Sequence, residues 1–200
     1  MRTTALKPRV PAKRPYGPPA GFLETLVGVA ILVQREELER AVVQRLVLDC
    51  TDRVLQVGSG PGTVLRMAAS RAGFVAGLDP SREMVEQATR TNRDDVLSGR
   101  VEVLRASPSA IPYPNDSFTV VFAADDSQRW DGSESGLREI VRVLRSGGRL
   151  LIALRAWSDE DLDTEIQHVS VVLAKCGFDQ VRVEKHTAGE GGAFVTARRP

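Results

Sequence analysis

The residues best suited to hold a ligand surround three glycines at alternate positions, Gly58-Ser59-Gly60-Pro61-Gly62, directly after the β-rich run Arg53-Val54-Leu55-Gln56-Val57. Without β-carbons a chain can turn tightly and bring its backbone close to a bound molecule. Asp79 stands twenty-one positions after Gly58, closing a second apolar run from Phe74 to Leu78. A carboxylate at about that separation from a glycine turn is placed to grip ribose hydroxyls. Each feature alone has an ordinary explanation: the glycines could serve strand-to-helix packing, and Asp79 could simply stabilise the turn Asp79-Pro80-Ser81. Together they point to a nucleoside. A nicotinamide dinucleotide fits less well, because its turn reads G-x-G-x-x-G. Here the sixth position is Thr63, and the third glycine arrives one residue early at Gly62.

Other chemistry is poorly represented. His168 and His186 have no third histidine and no paired cysteines nearby, so no metal site is expected. Cys50 and Cys176 are far apart and too few for a disulfide scaffold, which favours a reducing cytoplasm. Twenty-seven basic side chains against 26 acidic ones give a net charge of +1. No global field recruits nucleic acid, and a small-molecule partner is the better match.

The elements that position the glycine turn follow from apolar spacing. Leu38, Val42 and Leu46 recur every fourth residue and predict a helix over Glu36 to Leu48. After the turn, Val64, Leu65, Ala68 and Ala69 adopt helical spacing, so the order is strand, tight turn, helix. Ser81 can cap a helix whose inner face carries Met84, Val85 and Ala88. Val101 to Leu104 and Phe118 to Phe122 read as the third and fourth strands, separated by the turn-rich segment Pro108 to Ser117. A helix bearing Leu137, Ile140, Val141 and Leu144 is expected to stop at Gly147-Gly148 before a fifth strand, Leu150 to Leu154. A last helix with Ile166, Val169, Leu173 and Cys176 stops at Gly177, and Val181 to Val183 can pair with Phe194 to Ala197.

Strands alternating with helices predict an α/β fold: a Rossmann-like, doubly wound, mostly parallel sheet of seven strands with an antiparallel closing strand. Ligands in such sheets sit beyond the carboxyl ends of the strands. Two hundred residues with 42% hydrophobic content suit one domain, assigned to residues 21–200. Residues 1–20 read as a flexible, basic, proline-rich leader. Arg2, Lys7, Arg9, Lys13 and Arg14 precede the apolar stretch Phe22 to Val33 and imitate a signal peptide. Five prolines on the approach and Glu24 within the stretch argue instead for a short helix, too short to span a bilayer but compatible with weak peripheral membrane contact.

Four segments in order carry a resemblance to a known family: Val54 to Gly62, Gly77 to Met84, Ile111 to Phe118, and Leu137 to Leu150. Over about Arg53 to Ala153 the chain resembles the class I S-adenosylmethionine-dependent methyltransferases, especially small-molecule enzymes related to those of ubiquinone and menaquinone biosynthesis. The resemblance implies that Gly58, Ser59, Gly60 and Gly62 support the methionyl part of S-adenosyl-L-methionine and that Asp79 takes its ribose hydroxyls. Pro80 and Met84 would then lie near the adenine. In the family a carboxylate usually stands at the position of Gln56, near the cofactor's amino end, and another commonly stands at that of Ser107, near the adenine amino group. Both positions are neutral here, and neutral hydrogen bonds have about half the strength of charge-assisted ones. A noncatalytic methyltransferase-like binding or scaffold protein is therefore the alternative. Thr119 also replaces an aspartate often found in the third segment. The resemblance further implies that the loop from Ala123 to Trp130 faces the methyl group, offering Asp125 or Asp126 as a general base and Arg129 and Trp130 as substrate contacts. Tyr16 is the corresponding N-terminal aromatic that could close over the site.

Overall fold

The computed structural model describes residues 37–124, 134–155, 159–186 and 192–200 of the chain. Residues 37–46 form helix α1. There follow β1 (Arg53–Val57), α2 (Thr63–Ala69), β2 (Phe74–Asp79), α3 (Arg82–Thr91), α4 (Arg93–Leu97), β3 (Val101–Arg105) and β4 (Phe118–Ala124). Then come α5 (Glu134–Val143), β5 (Leu144–Arg155), α6 (Asp159–Lys175), β6 (Asp179–His186) and β7 (Gly192–Arg198). The strands make one seven-stranded sheet in the order β3-β2-β1-β4-β5-β7-β6. Strands β1 to β5 pair in parallel, whereas β7 runs antiparallel between β5 and β6.

This arrangement follows from residues that are apolar on both sides of the strands, since crossover helices cover both faces of a parallel sheet. Val54, Val75, Val120, Phe122, Leu151 and Phe194 join Val42, Val43 and Leu46 of α1 and Val64, Leu65 and Ala68 of α2 on one face. The alternate residues Leu55, Leu78, Val121, Leu150 and Ile152 join Leu137 and Ile140 of α5 and Leu162, Val169 and Leu173 of α6 on the other. The reversal of direction in strand order lies between β1 and β4, so the carboxyl ends of those strands flank the crevice where such sheets take ligands.

The end of α5 and the start of β5 differ from the sequence expectation, and α1 stops at residue 46, two residues before the expected end. Helix α5 ends at Val143, and Leu144 already belongs to β5, so Gly147 and Gly148 lie within that strand and do not form a helix stop. The cause is tertiary pairing. Leu144 pairs with Phe118, then the register jumps so that Arg149 pairs with Val120, leaving four residues of β5 bulged out against Thr119. The bulge is tied to the C-terminal segment by Gly147 N–H to Arg199 O, 2.8 Å, and Arg199 N–H to Gly148 O, 3.0 Å. The short helix α4 has no counterpart in the apolar spacing, because five residues are too few to show a periodicity.

Two of the resemblance-bearing segments turn out to be clamped together away from the glycine turn. The Arg142 guanidinium donates to Ile111 O (2.8 Å), Tyr113 O (2.7 Å) and Asn115 Oδ1 (3.1 Å), and pairs with Glu139 at 2.7 Å. Glu139 also accepts from Ile111 N–H at 2.9 Å. The Arg142 hydrogen bond holds the Glu139 carboxyl below the ordinary glutamate range. A depressed folded-state pKa contributes stability above the unfolded value and loses it as pH falls through the folded one. Glu139→Gln is therefore expected to cost about 1 kcal/mol at pH 7 and progressively less below about pH 4.5, as read by urea unfolding at both pH values.

Candidate functional site

The glycine turn is built by the ends of β1 and β2. Gly58, Gly60 and Gly62 have φ of 76°, 51° and 88°, the left-handed region that favours glycine. Gly58 N–H and Ser59 N–H both donate to Leu78 O at 2.8 Å, which folds the turn back over β2. Asp79 locks the arrangement: its Oδ2 accepts from Gly60 N–H at 3.0 Å and its Oδ1 from Ser81 N–H at 2.9 Å. Ser81 in turn caps α3 by accepting from Met84 N–H at 3.4 Å, as the sequence predicted. The Asp79 carboxylate is buried, yet each oxygen has a further lone pair for a hydroxyl donor.

Two residues that sequence reasoning had not singled out as site residues hold this turn in place. A β-carbon at Gly77 would lie 2.6 Å from Leu65 Cδ1 and 2.9 Å from Ser59 Cβ, so the missing side chain lets β2 approach the turn and α2 closely. An isolated glycine inside a strand was the available signal. The buried Asn92 donates through Nδ2 to Gly62 O (3.0 Å) and Ala88 O (2.8 Å), pinning the turn's last glycine to α3. No local pattern marks this contact, because the bond to Gly62 spans thirty residues.

The other sequence-predicted residues fall as follows. Gln56 is buried at the end of β1, where Nε2 donates to Gly58 O at 3.3 Å and Oε1 has no partner among the described residues. The Ser59 hydroxyl, also buried, lacks a partner among the described residues as well. Ala123 pairs with Val57 across β1 and β4 and is buried. Pro80 is exposed, and Met84 is half-buried. Ser107 is exposed two residues past β3, its hydroxyl 2.8 Å from that of Ser109. The register Asp79 to Arg105 brings the end of β3 beside that of β2. Gln56, the turn, Asp79, Pro80, Met84, Ser107 and Ala123 thus belong to one end of the sheet. Tyr16, Asp125, Asp126, Arg129 and Trp130 lie outside the described residues.

Thr119 belongs to the opposite end. Its hydroxyl donates to Asp52 Oδ1 at 2.5 Å and accepts from Arg53 N–H at 3.2 Å, while Asp52 Oδ2 takes Arg149 Nη2 at 2.7 Å. That position is structural, and its departure from the family pattern does not touch the glycine turn. Among the described residues no group of three or more His, Cys, Asp or Glu side chains could hold a metal, and no helix is long and apolar enough to cross a membrane.

Comparison with known proteins bears on the family and the fold. Residues 55–152 match the methyltransferase domain family model. The chain is 32% identical over 132 residues to YrhH of Bacillus subtilis, whose name assigns it to the methyltransferases; the match covers 65% of this chain and 72% of YrhH. It is also 32% identical over 152 residues to the 27-O-demethylrifamycin SV methyltransferase of Amycolatopsis mediterranei, covering 72% of this chain and 56% of that one. Against several other curated relatives the chain spans about half of their length. Among solved structures, a SAM-dependent methyltransferase from Aquifex aeolicus aligns with a TM-score of 0.65 at 24% identity, covering 80% of this chain and 88% of that one. The [4+2]-cyclase SpnF aligns with a TM-score of 0.68 at 23% identity, covering 82% and 81%. A cyclase among these neighbours shows that the fold alone does not specify the reaction. The ordered glycine turn and Asp79, together with the family match and the YrhH relationship, lead to one conclusion: the chain belongs to the class I S-adenosylmethionine-dependent methyltransferase family.

Proposed function

We propose that the chain transfers a methyl group from S-adenosyl-L-methionine to a small-molecule acceptor, with the cofactor held by the glycine turn, Gln56, Asp79, Pro80, Met84, Ser107 and Ala123. The observation that carries this reading is the pair of orphaned buried acceptors, Gln56 Oε1 and Ser59 Oγ, beside the glycine turn. Buried polar groups without partners are costly, so such atoms fit a polar ligand that supplies donors. Asp79 keeps free lone pairs for ribose hydroxyls, and Gln56 Oε1 suits the cofactor's ammonium group. When bound, the cofactor supplies an activated methyl group, and the chain's own task is to position the acceptor and exclude water. Asp125 or Asp126, which follow β4, are the candidates to take a proton from the acceptor, with Arg129, Trp130 and Tyr16 as candidate acceptor contacts.

A small acceptor is supported by the net charge of +1, which gives no field for nucleic acid, and by relatives named for small-molecule substrates such as 27-O-demethylrifamycin SV. A cytoplasmic setting is supported by two unpaired cysteines, Cys50 and Cys176. Calorimetric titration with S-adenosylmethionine and S-adenosylhomocysteine tests the reading: folded protein that binds neither would overturn it. Binding without transfer to any acceptor would favour the noncatalytic alternative.

The neutral Gln56 allows a sharper test. Gln56→Asp is expected to tighten S-adenosylmethionine binding by about 1 kcal/mol, because a charge-assisted bond to the ammonium replaces a neutral one. The free protein should become less stable, since a buried carboxylate is left without a partner. Weaker binding and a lower Tm together would show that the pocket no longer presents an ammonium to that position.

A further inference from the structure

A second concavity lies at the other end of the sheet. About 190 Å³ in volume, it is lined by Arg45, Arg149, Arg182 and Arg198, with Gln180 and Thr196 among the remaining walls. The strand registers explain why the arginines converge. Arg149 of β5 is directly opposite Arg198 of β7, and Arg182 of β6 is opposite Thr196, two residues along β7. Side chains two apart share a face, and this is the face that α1 covers, where Leu151, Ala153 and Phe194 pack with Val42, Val43 and Leu46. Arg45 enters from the last turn of α1, its guanidinium 4.1 Å from the Phe194 ring centre.

Like charges directly opposite one another destabilise a sheet, and among the described residues only half of these are answered by a carboxylate. Arg149 pairs with Asp52 at 2.7 Å and donates to Leu46 O and Val47 O. Arg45 pairs with Glu184 at 2.5 Å. Among the described residues Arg198, by contrast, donates only to Gly147 O, at 3.2 Å, and forms no ion pair with Asp179, which lies opposite it on β6. The Arg182 guanidinium has no hydrogen bond or ion pair among the described residues. Two exposed positive charges without an ion-pair partner among the described residues therefore share the wall of one cavity. One lining residue, and one residue that Arg149 holds outside the lining, have left-handed backbone. Gln180, in the lining, has φ of 50°, and Val47, whose carbonyl Arg149 holds, has φ of 45° although it is β-branched and 78% exposed. Such conformations persist only where the surrounding structure fixes them, and they gather at ligand clamps.

We propose that this cavity binds a phosphate monoester, held by Arg182 and Arg198 at a site separate from the glycine turn. Guanidinium groups present planar forks that match phosphate oxygens. A monoester carries a charge of about −1.5 to −2 at pH 7, which matches the two unanswered cations. The cavity is below the roughly 300 Å³ at which drug-sized sites begin, so it suits a phosphate group rather than a whole nucleotide. The monoester comes either free in solution or on a lipid headgroup.

Thermal unfolding and calorimetry of the full chain with glycerol 3-phosphate, at ionic strength matched by sodium chloride, provide the test. Sedimentation with phosphatidylcholine vesicles, with and without phosphatidic acid, provides the second arm. Glycerol 3-phosphate is expected to raise the Tm of the parent chain, and Arg182→Gln and Arg198→Gln should each weaken its binding on the order of ten-fold or more. Each variant should keep the parent's affinity for S-adenosylmethionine and, without phosphate, match or exceed the parent's Tm, because repulsion has been relieved. Phosphatidic-acid-dependent sedimentation that both substitutions abolish, without glycerol 3-phosphate binding, would support the site and identify the lipid source. No binding in either arm, or binding that the variants retain in full, overturns the proposal.

Discussion

Asp79→Ala is expected to weaken S-adenosylmethionine binding by roughly 1.5 to 3 kcal/mol, the range for hydrogen bonds made to a charged group. The structure adds a second effect that the residue's spacing did not foretell. Asp79 accepts from the backbone N–H groups of both Gly60 and Ser81, so its removal orphans two donors, of which Gly60 is buried. Each unmet donor costs about 1 to 3 kcal/mol when water cannot reach it. The variant should therefore unfold at a lower temperature as well as bind more weakly. Asp79→Asn separates the two roles, because its amide oxygen can still accept from one of the N–H groups while the negative charge is gone. Calorimetric titration beside thermal unfolding reads both quantities. A folded Asp79→Ala protein with the parent's dissociation constant would remove Asp79 from the cofactor site.

Gly62→Ala should be among the most damaging single methyl additions in the turn, costing roughly 2 to 5 kcal/mol of stability. A β-carbon there would lie 2.6 Å from Asn92 Nδ2 and 2.8 Å from Ala88 Cα, the second being backbone that cannot move aside cheaply. Overpacking of that kind costs about 1 to 3 kcal/mol. The φ of 88° adds about 1 to 2 kcal/mol for any residue with a β-carbon. Gly58→Ala provides the contrast, because its φ is 76° but its β-carbon would meet nothing within 4 Å. Only the backbone penalty of about 1 to 2 kcal/mol applies there. Urea unfolding of the two variants should rank Gly62→Ala well below Gly58→Ala. Equal midpoints would show that the Asn92 contact to α3 yields without resistance.

The order of the strands, the parallel sheet and the glycine turn were legible in the sequence because each rests on local chemistry. Both-sided apolar runs such as Val54 to Val57 and Val120 to Phe122 become buried strands whatever their neighbours. The glycine turn and Ser81 act within a few residues of themselves, and their conformations appear as their types require. The carboxylate distance to the turn was legible too, since it follows from the length of one strand-helix-strand unit.

What only the tertiary structure decided involves partners far apart in the chain. Gly147-Gly148 looks like a helix stop by composition, yet pairing with Phe118, Val120 and the residues around Arg199 turns it into a bulge inside β5. Thr119 could be read as a depleted site residue until Asp52, Arg53 and Arg149 were seen around it. Asn92 reaches Gly62 across thirty positions, and Arg45, Arg149, Arg182 and Arg198 meet only because β7 lies between β5 and β6. Local propensity and spacing specify what a segment becomes, because the relevant forces act within a turn or two of the chain. Which charges and orphaned donors face one another depends on strand order and register, and those are set by the packing of both cores at once.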